Sequence, residues 1–161
     1  MSIGDRGFRN ALGNFATGVC IVSFFNDDNR AIGMTINSFT SVSLDPSIVS
    51  WSIKKESQCY DVFAQLGQYS ISVLSKNQVE ISNRYAKPGD HVMMDHEYYI
   101  SASGLPIVRN SIAQFECEEW KTIPAGDHDI IFGRVLDFQC TEDDEPLIFY
   151  KGGYRGLAYT A

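Results

Sequence analysis

A mainly β fold, a barrel with short peripheral helices, is predicted by three properties of this chain. Short apolar runs recur between clusters of turn residues, and helical periodicity is confined to brief stretches. Aromatic residues make up 12% of the sequence, including ten Phe and eight Tyr, and such side chains favour pleated surfaces. No G-x-G-x-x-G follows the first apolar run and no Walker phosphate loop is present, which argues against a doubly wound nucleotide-binding sheet.

The elements follow in order. Asp5 to Phe15 reads as a short helix, with Phe8, Leu12 and Phe15 as an apolar stripe and Asp5 near its positive end. Gly18 ends it, and Val19 to Phe25 follows as a buried strand. Asn26-Asp27-Asp28-Asn29 is a turn cluster, so Arg30 to Ser38 returns as the second arm of a hairpin. Asp45-Pro46 breaks the chain before a strand from Ile48 to Ile53. A helix from about Gln58 to Leu66 places Val62, Phe63 and Leu66 on one side, and Tyr69 to Leu74 alternates as a strand. Lys76 to Pro106 is the least regular stretch, with Gln78 to Tyr85 helical and Lys87-Pro88-Gly89-Asp90 a loop. Ser111 to Ile123 and Asp129 to Cys140 are two long strands joined by Pro124-Ala125-Gly126-Asp127-His128. Leu147 to Tyr150 is the last strand, before a tight ending at Gly152-Gly153-Tyr154-Arg155.

Composition narrows the partners. The chain of 161 residues suits one domain over 1–161, and its net charge of −7 with no Lys/Arg block longer than two argues against nucleic acid or an anionic membrane. Cys20, Cys59, Cys117 and Cys140 are dispersed, with no C-x-x-C pair and no signal-like N-terminal run. Reduced thiols in a cytoplasmic protein are the expectation. No apolar run approaches the roughly 20 residues that span a bilayer.

The segment Gly33 to Ser43 is the leading ligand candidate. Six of the nine residues from Thr35 to Ser43 carry a hydroxyl or amide and none is charged, while apolar runs flank them. Such groups bond water, backbone or a polar ligand, since burying them unpaired is costly. A neutral ligand edge with alternating donors and acceptors suits them. Lys54-Lys55-Glu56-Ser57 lies between a strand and a helix, where Ser57 can cap the helix and a phosphate can meet free N–H groups. Adjacent lysines alternate sides in extended chain, so one of the pair points that way; a capping serine beside two solvated lysines is the competing reading. His128, in the turn between the long strands, can donate to a carbonyl or phosphate or simply be solvated. His91 and His96, with Asp90 and Asp95, lack a scaffold that would bring them to a metal. Tyr154-Arg155 can stack on and pair with a nucleotide, or make surface ion pairs. There is no G-x-S-x-G elbow and no cysteine with a basic neighbour in sequence, so a cofactor is the natural carrier of any difficult chemistry.

Taken in order, Phe8-Arg9-Asn10-Ala11-Leu12-Gly13-Asn14-Phe15-Ala16-Thr17-Gly18-Val19, Gly33 to Phe39, Ser41-Val42-Ser43-Leu44-Asp45-Pro46, Gly126-Asp127-His128 and Pro146 to Tyr150 with Gly153-Tyr154 resemble the short-chain flavin reductases, the small components of two-component flavin-dependent monooxygenases. The resemblance covers nearly the whole chain and is weakest between Lys87 and Gly104. It implies a split β-barrel homodimer that binds FMN or FAD, oxidises NADH or NADPH, and supplies reduced flavin to a separate monooxygenase. It further implies that Met34, Thr35, Ile36, Asn37, Ser38 and Phe39 run along the flavin ring, with Ser50, Trp51 and Ser52 on the next strand beside it. Lys55 and Ser57 would take the phosphate, with Arg84, Tyr85 and Ala86 nearby, and Cys59 stands where a hydroxyl residue is common. His128 would sit by the nicotinamide as a positioning donor, and Tyr154 at the rim. A flavin-binding electron carrier and a relative of the pyridoxamine-phosphate oxidases are the alternatives within this architecture.

Overall fold

The structure, a computed structural model, describes residues 4–63 and 67–159. Its first elements are α1 (Asp5–Leu12), β1 (Thr17–Gly18), β2 (Cys20–Phe25), β3 (Ala31–Ile36), β4 (Thr40–Leu44), β5 (Ser47–Lys54) and α2 (Tyr60–Phe63). Next come β6 (Gln68–Val73), α3 (Val79–Ala86), a 3-10 turn (Asp95–Glu97), β7 (Tyr98–Ile100) and β8 (Pro106–Val108). The long pair β9 (Ala113–Ala125) and β10 (His128–Cys140) precedes a last hairpin, β11 (Ile148–Tyr150) and β12 (Gly153–Arg155).

Seven strands form one antiparallel sheet in the order β3-β2-β6-β9-β10-β5-β4. Strands β3 and β4 are consecutive in the chain yet lie at opposite edges of that sheet. Only Asn37-Ser38-Phe39 connects them, and such a link spans no more than about 14 Å. The sheet must therefore curl until its edges approach, giving a barrel with an open seam that this short segment crosses. Strands β9 and β10 make the curl possible: β9 pairs with β6 up to Glu118, and β10 pairs with β5 from His128 to Arg134. Two register shifts, between Phe132 and Gly133 and between Val135 and Asp137, bend this hairpin around the barrel.

Strict alternation fills the interior. Cys20, Val22 and Phe24 from β2, Ile32, Met34 and Ile36 from β3, and Val49, Trp51 and Ile53 from β5 all enter one cluster, with Tyr69, Ile71, Cys117 and Ile131. Trp51 packs edge-on against Phe63 and Tyr69, with ring centroids 5.9 Å away in each case. Each such aromatic, fully buried, stabilises the fold by roughly 2–3 kcal/mol. Tyr69 reaches across the barrel to β10, where a Cβ on Gly133 would lie 2.1 Å from its hydroxyl oxygen. Behind β2 and β6, the hydroxyls of Ser23 and Ser70 both donate to the carbonyl of Pro106, which seats the β7–β8 hairpin. A second cluster, with Val19, Ile21, Leu74, Tyr85 and Leu147, joins α3 and the β1-β11-β12 sheet to the barrel.

Several boundaries differ from the sequence expectation. Helix α1 stops at Leu12 rather than Phe15, because Gly13 follows and the side-chain amide of Asn14 donates to the carbonyls of Asn10 and Ala11. Its apolar stripe is not core in this chain: Phe8, Leu12 and Phe15 are 51%, 56% and 78% exposed. In α2, Phe63 is buried but Val62 is exposed, and Leu66 lies outside the described residues. The polar segment contains an unexpected edge strand, β4, and the irregular middle contains the three-residue strands β7 and β8. Pro124 and Ala125 belong to β9, and His128 opens β10, so the turn itself is Gly126-Asp127 with Gly126 at φ +65°. Glycine at the first turn position with positive φ is what a tight Gly-X hairpin needs.

Candidate active-site cleft

The segment crossing the seam divides its polar groups between protein and open space. Thr35 donates its hydroxyl to the carbonyl of Ser82 at 2.7 Å, tying β3 to α3. Ser38 accepts the backbone N–H of Ser52 at 2.9 Å, tying the crossing to β5. Asn37 and Ser38 are exposed, and Phe39 is half-buried, stacked on Phe115 with centroids 5.5 Å apart. Met34 and Ile36 point the other way, into the barrel. Of the residues expected along a flavin ring, the segment thus offers Thr35 and Asn37 to Phe39 by side chain, whereas the Met34 side chain is spent on the core.

Two adjoining clefts share Asn37 and Phe149. The smaller, about 180 Å³, brings together Val19, Thr35, Ile36, Asn37, Ser82, Ala86, Phe149 and Tyr154. Five residues named from sequence meet there: Thr35, Ile36, Asn37, Ala86 and Tyr154. Tyr154 is fixed from below, since its hydroxyl shares a hydrogen bond with Ser82 at 2.8 Å and donates to Asn83 at 3.2 Å. The larger, about 760 Å³, runs between α1, β1, the seam crossing and the β11–β12 turn. Its walls carry Phe15, Phe39 and Phe149, the polar Thr17, Asn37, Ser38 and Thr40, and the cations Arg9 and Lys151. The hydroxyl oxygen of Thr17 is buried without a hydrogen-bond partner among the described residues. This is the size and lining of a small-molecule site: flat apolar walls with a few polar groups. Sequence reading assigned none of Arg9, Phe15, Thr17, Phe149 and Lys151 to a ligand. Phe15, expected on the helix stripe, lies beyond α1 and lines this cleft.

On β5, Ser50, Ser52 and Lys54 share the outer face by alternation, while Trp51 lies on the inner face and is fully buried. Trp51 can offer only its backbone to a ligand on the outer side. The register aligns Ser52 with Ile130 and Lys54 with His128, so the seam crossing, Ser52 and His128 follow one outer surface of the sheet.

Five contacts fix the turn that carries His128. The backbone N–H of Lys55 donates to Asp127 at 2.9 Å, and its ammonium donates to the carbonyl of Gly126 at 2.9 Å. That ammonium also lies 3.7 Å from Asp129, a buried carboxylate that accepts the Tyr60 hydroxyl at 2.5 Å. Nδ1 of His128 is 2.8 Å from the Asp127 carboxylate, and this contact holds the Asp127 carboxyl below the usual carboxylate range. Lys55, expected at a phosphate, thus has protein partners and braces the histidine turn. Ser57 likewise accepts the backbone N–H of Cys59 at 3.2 Å, and burial pushes the Cys59 thiol up to about 11.

Two further residues expected near the flavin are occupied elsewhere. The guanidinium of Arg84 pairs with Glu97 and with Glu80, and Tyr85, itself buried, donates its hydroxyl to Glu97. Glu97 is buried, so this pairing offsets a desolvation that an isolated carboxylate would not tolerate. The side chains of Arg84 and Tyr85 therefore anchor the 3-10 turn and do not line the cleft. Nor do the described residues hold any group of His, Cys, Asp and Glu able to bind a metal; His91 instead contacts the carbonyl of Gly33 at 2.9 Å.

Comparison with known proteins gives this geometry its setting. The model for the flavin reductase like domain matches residues 12–158. The chain belongs to the flavin reductase-like family. Among its relatives, the FMN reductase (NADH) SmoA of Agrobacterium fabrum is 41% identical over 93% of this chain and 84% of its own. The styrene monooxygenase flavin reductase of Pseudomonas putida superposes with a TM-score of 0.85 at 32% identity, covering 96% of this chain and 99% of that one. The NADH:FAD oxidoreductase SgcE6 of Streptomyces globisporus, solved with NAD and FAD fragments, gives a TM-score of 0.88 at 29% identity, covering 96% and 93%. The split barrel expected from sequence is therefore the fold of this flavin reductase-like chain, and its β-dominated architecture is shared with these structures. No described helix is long and apolar enough to cross a membrane.

Proposed function

We propose that this chain is an NAD(P)H:flavin oxidoreductase that moves a hydride from the pyridine nucleotide to FMN or FAD and passes reduced flavin to a separate monooxygenase. The observation that carries the reading is the seam: neutral donors and acceptors of Asn37, Ser38 and Thr40 face a cleft of about 760 Å³ walled by Phe15, Phe39 and Phe149. A flavin, when bound, supplies the redox chemistry, since it accepts hydride without any protein nucleophile. What remains for the protein is to hold two flat rings about 3–3.5 Å apart and to keep water out. Aromatic walls do the first, and Asn37 and Ser38 set donors at the edge where negative charge develops. Ser50 and Ser52 continue that polar face, and Tyr154 closes the smaller cleft. His128, braced by Asp127 and the Lys55 turn, is proposed to orient the nicotinamide.

Two further features belong to this reading. The exposed apolar side chains of Phe8, Leu12, Leu44, Leu136 and Phe138 suit burial against a second copy, so a homodimer is proposed. One domain over 1–161 and a cytoplasmic setting also fit, the four cysteines being free thiols.

Purified protein with added FMN, FAD or riboflavin is expected to oxidise NADH or NADPH with saturation in both substrates. A flavin that binds and is reduced by dithionite, but not by either nucleotide, would overturn the reading in favour of an electron carrier. His128→Ala is expected to raise KM for NADH more than it weakens flavin binding, measured by steady-state kinetics and by flavin fluorescence titration. An unchanged nucleotide dependence would contradict the role given to His128.

A further inference from the structure

The larger cleft has a charged wall that ring binding does not use. Fourteen residues line it, and they include Arg9 and Lys151 but no carboxylate. That is unusual for a chain with 20 acidic and 13 basic residues. Neither cation makes an ion pair among the described residues. The Lys151 ammonium lies 5.3 Å over the ring of Tyr150, a contact that steadies the charge without neutralising it.

The two cations line one cleft, and the elements that carry them are joined. The backbone N–H of Lys151 donates to the carbonyl of Gly13 at 2.9 Å, one helical turn beyond Arg9. A Cβ on Gly13 would lie 3.6 Å from the Cα of Lys151, so the end of α1 rests directly on the β11–β12 turn. That turn holds Lys151 and Gly152 both at positive φ, +48° and +75°, the geometry of a type I′ hairpin. Lysine is a poor choice there on backbone grounds, as Asn, Asp or Gly fit better. Thr17, whose buried hydroxyl has no partner among the described residues, lies on the same cleft.

We propose that Arg9 and Lys151 form the subsite that takes a phosphate group of the reducing pyridine nucleotide. The proposal rests on the reading of the seam as the flavin-ring site and extends it to the part of the nucleotide remote from hydride transfer. A ligand that carries both a flat ring and phosphate suits a cleft with aromatic and cationic walls together. The diphosphate bridge and a ribose 2′-phosphate share this chemistry, and the kinetic arms separate them.

Arg9→Gln and Lys151→Asn remove charge while keeping the helix and the positive φ, and Lys121→Gln on β9 serves as the control cation. With riboflavin as acceptor, each cleft variant is expected to raise KM for the nucleotide roughly tenfold, the loss falling on KM rather than kcat. A rise shared by NADH and NADPH assigns the diphosphate; a rise for NADPH alone assigns the 2′-phosphate. Raising ionic strength should increase KM in the parent and less so in the variants. The proposal is overturned if KM for both nucleotides is unchanged. It is equally overturned if the variants weaken FMN but not riboflavin, which would give the subsite to the flavin phosphate. Equilibrium titration with ADP-ribose and its 2′-phosphate, read by calorimetry, decides the subsite even in a protein without reductase activity. That separates failure here from failure of the proposed function. Circular dichroism of each variant checks that the fold is kept.

Discussion

At the scale of single residues, the barrel interior is governed by which side of a strand a residue occupies. Ser50, Trp51 and Ser52 are neighbours in sequence, yet the serines face outward and the indole faces Tyr69 and Phe63. A resemblance supplies a position on a strand; the period of two decides whether its side chain meets ligand or core. Met34 shows the same division beside Thr35. Gly133 is the described glycine with least room, because Tyr69 already fills the space where a side chain would go. Gly133→Ala is expected to destabilise by about 2 kcal/mol through overpacking, seen as a lower urea midpoint with an unchanged slope. An unaltered midpoint would mean that Tyr69 can withdraw from β10, contrary to this packing. Arg84 and Tyr85, expected near a phosphate, instead hold Glu97, and no sequence pattern pointed to that pairing. That carboxylate lies in the irregular middle, where no pattern announced its burial.

At the scale of elements, the β9–β10 hairpin and the β5–α2 turn act as one unit. Lys55 reaches Gly126 and Asp127, Tyr60 reaches Asp129, and His128 sits between them. Asp129 is the keystone of this unit: it is buried and has two neighbours that lose a partner without it. Asp129→Ala is expected to cost about 2 kcal/mol in chemical denaturation and to lower NADH use by releasing the His128 turn. Retained stability with normal kinetics would remove Asp129 from the bracing role. The long strands and the hairpin β2–β3 were readable from sequence because they carry sustained apolar patterns. The β4, β7 and β8 strands were not, since they are short and β4 is an exposed edge whose Thr and Ser look like ligand-binding loop. Helix α1 was legible as a helix with an apolar stripe, but periodicity alone did not say what the stripe faces, and in this chain it is exposed.

At the scale of the whole molecule, exposed apolar residues gather on α1, on edge strand β4 and along the β9–β10 hairpin. Trp120 and Leu136, the residues skipped in the hairpin register, are 56% and 45% exposed, and Phe138 is 66% exposed. An unpaired edge beside such residues invites association. Sedimentation equilibrium is expected to give twice the 18.0 kDa chain mass, and Phe138→Glu with Leu44→Lys to shift it towards the monomer. A monomeric parent protein would overturn the proposed homodimer.

The seam between β3 and β4 has a consequence for how the barrel tolerates a guest. A closed cylinder of strands can widen only by breaking backbone hydrogen bonds, and every such bond resists. Here the circumference is interrupted along one line, bridged by Asn37-Ser38-Phe39 and the two hydrogen bonds between Ser38 and Ser52. Widening at that line strains three residues and two hydrogen bonds and leaves every ladder intact. The mouth and the wall of this vessel thus have different stiffness, and the compliant part is where the ring is proposed to lie.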